Sequence, residues 1–153
     1  MERVSKNLAE TEVIAWDFLT HLTVKVETNQ RATVVGLHGD LGAGKTTFVQ
    51  AIGRALGIKD RITSPTFVLI KNYAIPQIGK ASPRQWKKLV HIDCYRLEKP
   101  EELGKLSWSE LIADQSNLIL IEWPERVEKI LPAETIKINF EILGETERKI
   151  VYN

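Results

Sequence analysis

The sequence predicts an α/β fold in which a mainly parallel sheet carries helices on its faces and antiparallel strands at its flanks. Three observations lead there. Residues 32–57 read as a short buried strand, a glycine-rich turn and a helix in immediate succession. Leu118-Ile119-Leu120-Ile121 sets large aliphatics in a row, the composition of a central parallel strand covered on both faces. Residues 67–92 and 135–152 each hold two β-rich runs around a turn, which is the pattern of a hairpin.

The 153 residues suffice for one compact domain, expected to span 1–153 and to bury roughly 68–70% of the surface its unfolded chain exposes. A content of 43% hydrophobic and 27% charged residues is ordinary for a soluble globular chain and argues against disorder or a membrane class. Net charge is only +1, from 21 basic and 20 acidic residues, so any contact with RNA has to be local. Cys94, the single cysteine, allows no intramolecular disulfide and stands in no zinc-type cluster, which fits a reducing compartment. No apolar signal-type core follows the charged residues 1–6, and no run approaches the ~18 apolar residues of a membrane span. A cytoplasmic protein without membrane contact is expected.

Residues 7–24 form the first predicted helix: Ile14, Phe18 and Leu22 recur on one face, and Val13, Ala15 and Leu19 widen the stripe. Asn7 and Glu10 supply a capping pair, and the polar stretch 27–31 ends the pattern. The strand over 32–37 is β-branched and mostly apolar. Helical spacing resumes over 46–56 through Phe48, Ile52, Ala55 and Leu56, with Gly57 where a left-handed cap is wanted. A β-rich stretch over 67–73 and a strand over 86–92 flank a turn marked by Pro76, Gly79 and Pro83, together a hairpin arm leading into the sheet. A helical patch over 100–113 precedes the aliphatic strand, and 135–142 with 148–152 reads as an edge hairpin around Gly144.

Gly39-Asp40-Leu41-Gly42-Ala43-Gly44-Lys45-Thr46 matches G-x-x-x-x-G-K-[ST] without deviation, between a predicted strand and a predicted helix. The chemistry follows from the residue types. Glycines let the backbone curl until successive N–H groups converge on phosphate oxygens, and the helix N-terminus adds its partial positive charge. Lys45 then reaches the β- and γ-phosphates, and the Thr46 hydroxyl is placed for Mg²⁺. The expected fold is therefore of the P-loop NTPase kind. Neither N-K-x-D nor D-x-x-G occurs, so ATP rather than a guanine nucleotide is the expected ligand.

A phosphate loop still needs a carboxylate at a neighbouring strand end for the metal shell and a group that positions water. Glu122 follows 118–121 and Asp93 follows 89–92, and in a parallel sheet both ends open at the edge where the loop lies. Glu122 is assigned to Mg²⁺ because its strand is the most apolar and so the most central. Asp93 then orients water or senses the γ-phosphate, although the residues alone leave the reverse assignment open.

Ile62-Thr63-Ser64-Pro65-Thr66-Phe67 gathers three hydroxyls around a proline, either a γ-phosphate-responsive switch or a polar turn. His91 is expected to be packed or hydrogen-bonded rather than catalytic. Trp123 shields the site, meets a partner or simply packs. Lys80, Arg84, Lys87 and Lys88 surround Trp86, a basic and aromatic cluster that suits either RNA or a solvated turn.

In combination, residues 39–47, Ser64-Pro65-Thr66-Phe67, His91-Ile92-Asp93-Cys94-Tyr95-Arg96-Leu97 and Ile121-Glu122-Trp123-Pro124-Glu125 resemble the TsaE (YjeE) family, the P-loop ATPase of bacterial threonylcarbamoyladenosine tRNA modification. The resemblance implies Thr46 and Glu122 at Mg²⁺, with Lys45, Asp93 and Glu122 as catalytic residues. It implies ATP contacts from residues 39–47, Thr47 included, together with a base contact near Thr11 and an approach by Arg148. It implies partners as well: a threonylcarbamoyl transferase subunit (TsaD-like) and its non-catalytic paralogue (TsaB-like), with tRNA met through that complex. On this reading hydrolysis is slow alone, depends on partners and resets the transferase between turnovers. The alternative is a P-loop small-molecule kinase, but Arg61, Arg84 and Arg96 are scattered and no lid segment stands out.

Overall fold

The computed structural model describes residues 1–25, 30–77 and 86–153. Four parallel strands make the centre of one seven-stranded sheet: β2 (Thr33–His38), β4 (Lys88–Asp93), β5 (Asn117–Glu122) and β6 (Ile136–Ile142). Antiparallel strands flank them. β3 (Ile70–Ala74) pairs with β4 on one side, while β7 (Arg148–Tyr152) and then β1 (Glu2–Ser5) continue from β6 on the other, giving the order β1-β7-β6-β2-β5-β4-β3. This is the expected mixed α/β architecture.

Strand alternation divides the interior into two layers. Leu89, Leu118 and Leu120 face α1 (Leu8–Lys25) and α2 (Lys45–Ala55), whose Phe18 and Phe48 meet edge to face with centroids 5.9 Å apart. Val90, Ile92, Ile119 and Ile121 face the other way, against Leu103 of α3 (Pro100–Gly104) and Trp108 of α4 (Trp108–Ala113). All six residues of β5 are buried, as a strand covered on both faces must be. The predicted cap of α1 is in place: the Glu10 amide donates to Asn7 Oδ1 at 2.9 Å, and Glu10 Oε2 accepts from the Lys6 amide at 2.8 Å.

Several expectations need correction. Val13 is exposed, so the buried stripe of α1 is narrower than its apolar residues suggest. Residues 66–69 form a turn instead of the start of a strand, with Leu69 at φ 69 and its amide bound to Pro65 O at 2.6 Å. The helical patch is two short helices broken near Ser107, itself at φ 56. The β6–β7 hairpin is interior to the sheet, because β6 also pairs with β2 and the unpredicted β1 covers β7. Trp86 is fully buried and donates to Thr33 Oγ1 at 3.2 Å, which removes the aromatic member of the supposed RNA-binding cluster. Lys80 and Arg84 of that cluster, the turn markers Gly79 and Pro83, and most of the helix-ending stretch 27–31 lie outside the described residues.

Candidate functional site

Register brings the predicted carboxylates together. Glu122 lies opposite Leu37 of β2 on one side and Asp93 of β4 on the other, so the ends of these parallel strands form one edge. The glycine-rich loop leaves β2 at that edge. Its first residue, Gly39, has φ 142, and a Cβ there would stand 2.5 Å from the Phe140 carbonyl oxygen, so only glycine lets the chain turn past β6. Gly44, at φ 97, directly precedes α2 and delivers Lys45 and Thr46 to the first turn of that helix.

The side chains form three adjacent groups, centred on Glu122, Asp93 and Lys45. Thr46 Oγ1 donates to Glu122 Oε1 at 2.8 Å, and His91 Nε2 lies 2.8 Å from the same oxygen. Asp93 accepts from the Thr66 hydroxyl at 2.6 Å and from the Tyr95 amide at 2.9 Å, which ties the hydroxyl-rich loop to the end of β4. Lys45 Nζ donates to Gly39 O at 2.5 Å and Asp40 O at 2.8 Å, and lies 4.1 Å from the Trp123 ring centroid. Burial pushes the Lys45 ammonium below the usual lysine range, against the opposing pull of Glu122, Glu125, Asp93 and Asp40.

Two cavities adjoin the loop. One of about 300 Å³ is lined by residues 41–47 with Ser64, Thr66, Asp93, Tyr95, Glu122 and Trp123. The other, about 400 Å³, shares Gly42, Ala43, Gly44 and Thr47 and extends over Ser5, Lys6, Asn7, Thr11, Phe140, Thr146 and Arg148. Thr11 and Arg148 thus sit together across the loop from the carboxylates, while the Gly39 and Asp40 carbonyls hold Lys45. Arg148 donates through Nε and Nη2 to Gly42 O at 3.2 and 3.1 Å and through Nη1 to Gly144 O at 2.8 Å, pinning the loop to the C-terminal hairpin.

The arrangement joins a cation and a helix N-terminus, which can hold an anion, to a hydroxyl and two carboxylates, which could hold a hard cation or a water. Sequence reasoning missed Ser5, Asn7, Tyr95 and Phe140 as lining residues, and it missed the contact of His91 with Glu122. The face that His91 shares was readable from the sequence, but the register that joins it to Glu122 was not. Alternation in β4 puts His91 on the same face as Asp93, and the register of parallel strands carries that face to Glu122.

Comparisons with known proteins show what the whole chain is similar to. A family model described as "Threonylcarbamoyl adenosine biosynthesis protein TsaE" matches residues 6–150. Proteins named "tRNA threonylcarbamoyladenosine biosynthesis protein TsaE" are similar: one from Rickettsia felis is 39% identical over 116 residues, which is 75% of this chain and 61% of that protein. One from Treponema pallidum is 36% identical over 121 residues, covering 79% and 82% of the two chains. One from Bacillus subtilis is 37% identical over 119 residues, covering 78% and 68%. The match therefore spans less than two thirds of the Rickettsia felis protein and more of the other two. A crystal structure of Bacillus subtilis YdiB superimposes with a TM-score of 0.70 at 30% identity, covering 99% of this chain and 83% of that one.

Proposed function

The chain belongs to the TsaE family of threonylcarbamoyl adenosine biosynthesis proteins, and on that premise we propose that it is the Mg²⁺-dependent ATPase subunit of a tRNA threonylcarbamoyladenosine-forming complex. The observation that carries this reading is the meeting of Thr46 and Glu122 at 2.8 Å beside Lys45, with Asp93 on the adjacent strand end. A cation, a hydroxyl and two carboxylates from separate elements converge there on one cavity.

The donor set fits Mg²⁺. A hydroxyl and a carboxylate are hard oxygen ligands, and among the described residues no group of three or more His, Cys, Asp or Glu builds an all-protein cage. An ion that keeps water and phosphate oxygens around one carboxylate suits such a site. Thr46 and Glu122 would hold it, and it would supply neutralisation of charge on the β- and γ-phosphate oxygens.

The chain's own residues then divide the work. Lys45 exchanges the Gly39 and Asp40 carbonyls for phosphate oxygens, while Trp123 keeps water from its ammonium. Asp93, held by Thr66 and Tyr95, orients the attacking water. The cavity at Thr11 and Arg148 takes the nucleoside end. Positioning and fixed charge provide most of the catalysis in such a site.

Partners complete the proposal. Leu41 and Tyr95 line the cavity and Phe67 and Val68 follow its lining residue Thr66 in the chain; all four are exposed apolar side chains, Phe67 at 84%, the kind of surface that a protein partner covers. The partners proposed are the transferase subunit and its non-catalytic paralogue, with ATP hydrolysis resetting them between rounds. The test is reconstitution: the transferase, its paralogue and tRNA from the same cell, with and without this chain. Repeated rounds of modification only in its presence support the reading. A rate of ATP consumption that ignores those partners and rises with a small-molecule acceptor replaces it with the kinase alternative.

A further inference from the structure

Resting on the reading of Glu122 as the magnesium carboxylate, we infer that His91 is a positioning residue that fixes the orientation of Glu122. His91 is completely buried in the middle of β4, and its Nε2 meets Glu122 Oε1 at 2.8 Å. The other ring nitrogen, Nδ1, is buried and has no hydrogen-bond partner among the described residues. That pairing selects the tautomer: Nε2 carries the proton and donates to the carboxylate, and Nδ1 stays bare, since a proton on it would be a buried donor without an acceptor.

The orphaned Nδ1 separates this role from packing. An aliphatic side chain at this position in the strand would leave no polar atom stranded, and buried polar groups are otherwise paired in folded proteins. What the histidine adds over such a side chain is the hydrogen bond of its other nitrogen to Glu122. Oε1 of Glu122 receives two donors, the imidazole from beneath the sheet edge and the Thr46 hydroxyl from α2. Oε2 takes no hydrogen bond among the described residues, while Glu122 lines the cavity beside the loop. Locking one oxygen from two directions leaves the other presented to the cavity in a single orientation, which is how outer partners set a metal-binding carboxylate.

The experiment uses Mn²⁺ as a spin probe for the metal site in the ADP complex, with ADP affinity in EDTA as the control. His91→Leu is expected to weaken Mn²⁺ binding about 10- to 100-fold and to leave metal-free ADP affinity unchanged. His91→Gln, whose amide nitrogen can occupy the Nε2 position, restores it. His91→Asn, whose amide falls short of Glu122, behaves like His91→Leu and replaces it should the leucine variant fail to fold. In a Glu122→Gln background the loss from His91→Asn vanishes, because there is no metal carboxylate left to orient. Nitrogen-15 NMR of the ligand-free protein should show a proton on Nε2 of His91.

Unchanged Mn²⁺ affinity in both His91→Leu and His91→Asn overturns the inference, as does a loss that simply adds to that of Glu122→Gln. Wild-type protein whose ADP affinity ignores metal altogether overturns the underlying assignment of Glu122, and that outcome is distinct from the first.

Discussion

The inner wall of the site and its rim are built by different means. The wall consists of Thr46, His91, Asp93 and Glu122, each on or at the end of a helix or strand and joined to a neighbour at 2.6–2.8 Å. Its geometry is set by strand register and by the core on either side of β4 and β5. The rim consists of loop residues, among them Leu41 at 73% exposure and Phe67 with Arg96 stacked 4.3 Å above its ring. Groups whose positions must be fixed sit on regular elements, while those free to meet another molecule sit on loops.

Removing groups from the wall should therefore disturb chemistry, and removing them from the rim should not disturb the isolated protein. Lys45→Ala gives the largest effect: losing charged hydrogen bonds to phosphate forfeits about 3 kcal/mol, about 150-fold in ATP affinity by calorimetry. Unchanged affinity would remove Lys45 from the phosphate site. Asp93→Asn should keep ATP yet slow single-turnover hydrolysis by about 100-fold, the scale of a lost general base or water-orienting group. A normal rate would leave Asp93 a structural anchor for Thr66. Phe67→Ser should shift stability by no more than about 0.5 kcal/mol and leave ATP affinity intact, while stimulation by partners falls. If the melting temperature dropped by many degrees, the rim would belong to the core after all.

Cys94 should give no effect. Burial, aided by Asp93 and Glu125, pushes its thiol up to about 12, so at pH 8 the native protein holds no thiolate there. A thiol reagent should label it only after denaturant is added, and rapid native labelling would show that the strand end beside Asp93 opens.

How much of this was legible in the sequence depends on which forces left a trace in residue types. The loop, α2 and β5 were plain, because glycine geometry, helical spacing and an unbroken aliphatic run each write a pattern. The capping pair Asn7 and Glu10 was plain for the same reason. β1 was not: its residues are mostly polar, and it is held by backbone pairing to β7, which any side chain permits. Phe67 and Val68 favour strands by propensity, but the turn closing on Pro65 and the left-handed Leu69 prevail. Trp86 looked like a surface aromatic among lysines, yet its ring fills the core and its one polar atom finds Thr33. The pairing of His91 with Glu122 needed register, and register between parallel strands is a tertiary fact.

No helix among the described residues is long and apolar enough to cross a membrane. The expected place of work therefore rests on the proposed partners, and the central claim rests on the wall. It is tested most directly by single-turnover hydrolysis of ATP across a Mg²⁺ titration, comparing wild type with Glu122→Gln. The account predicts a metal-dependent rate in the wild type and a titration shifted to higher Mg²⁺ in the variant. Superimposable titrations, or hydrolysis that proceeds in EDTA, would contradict it.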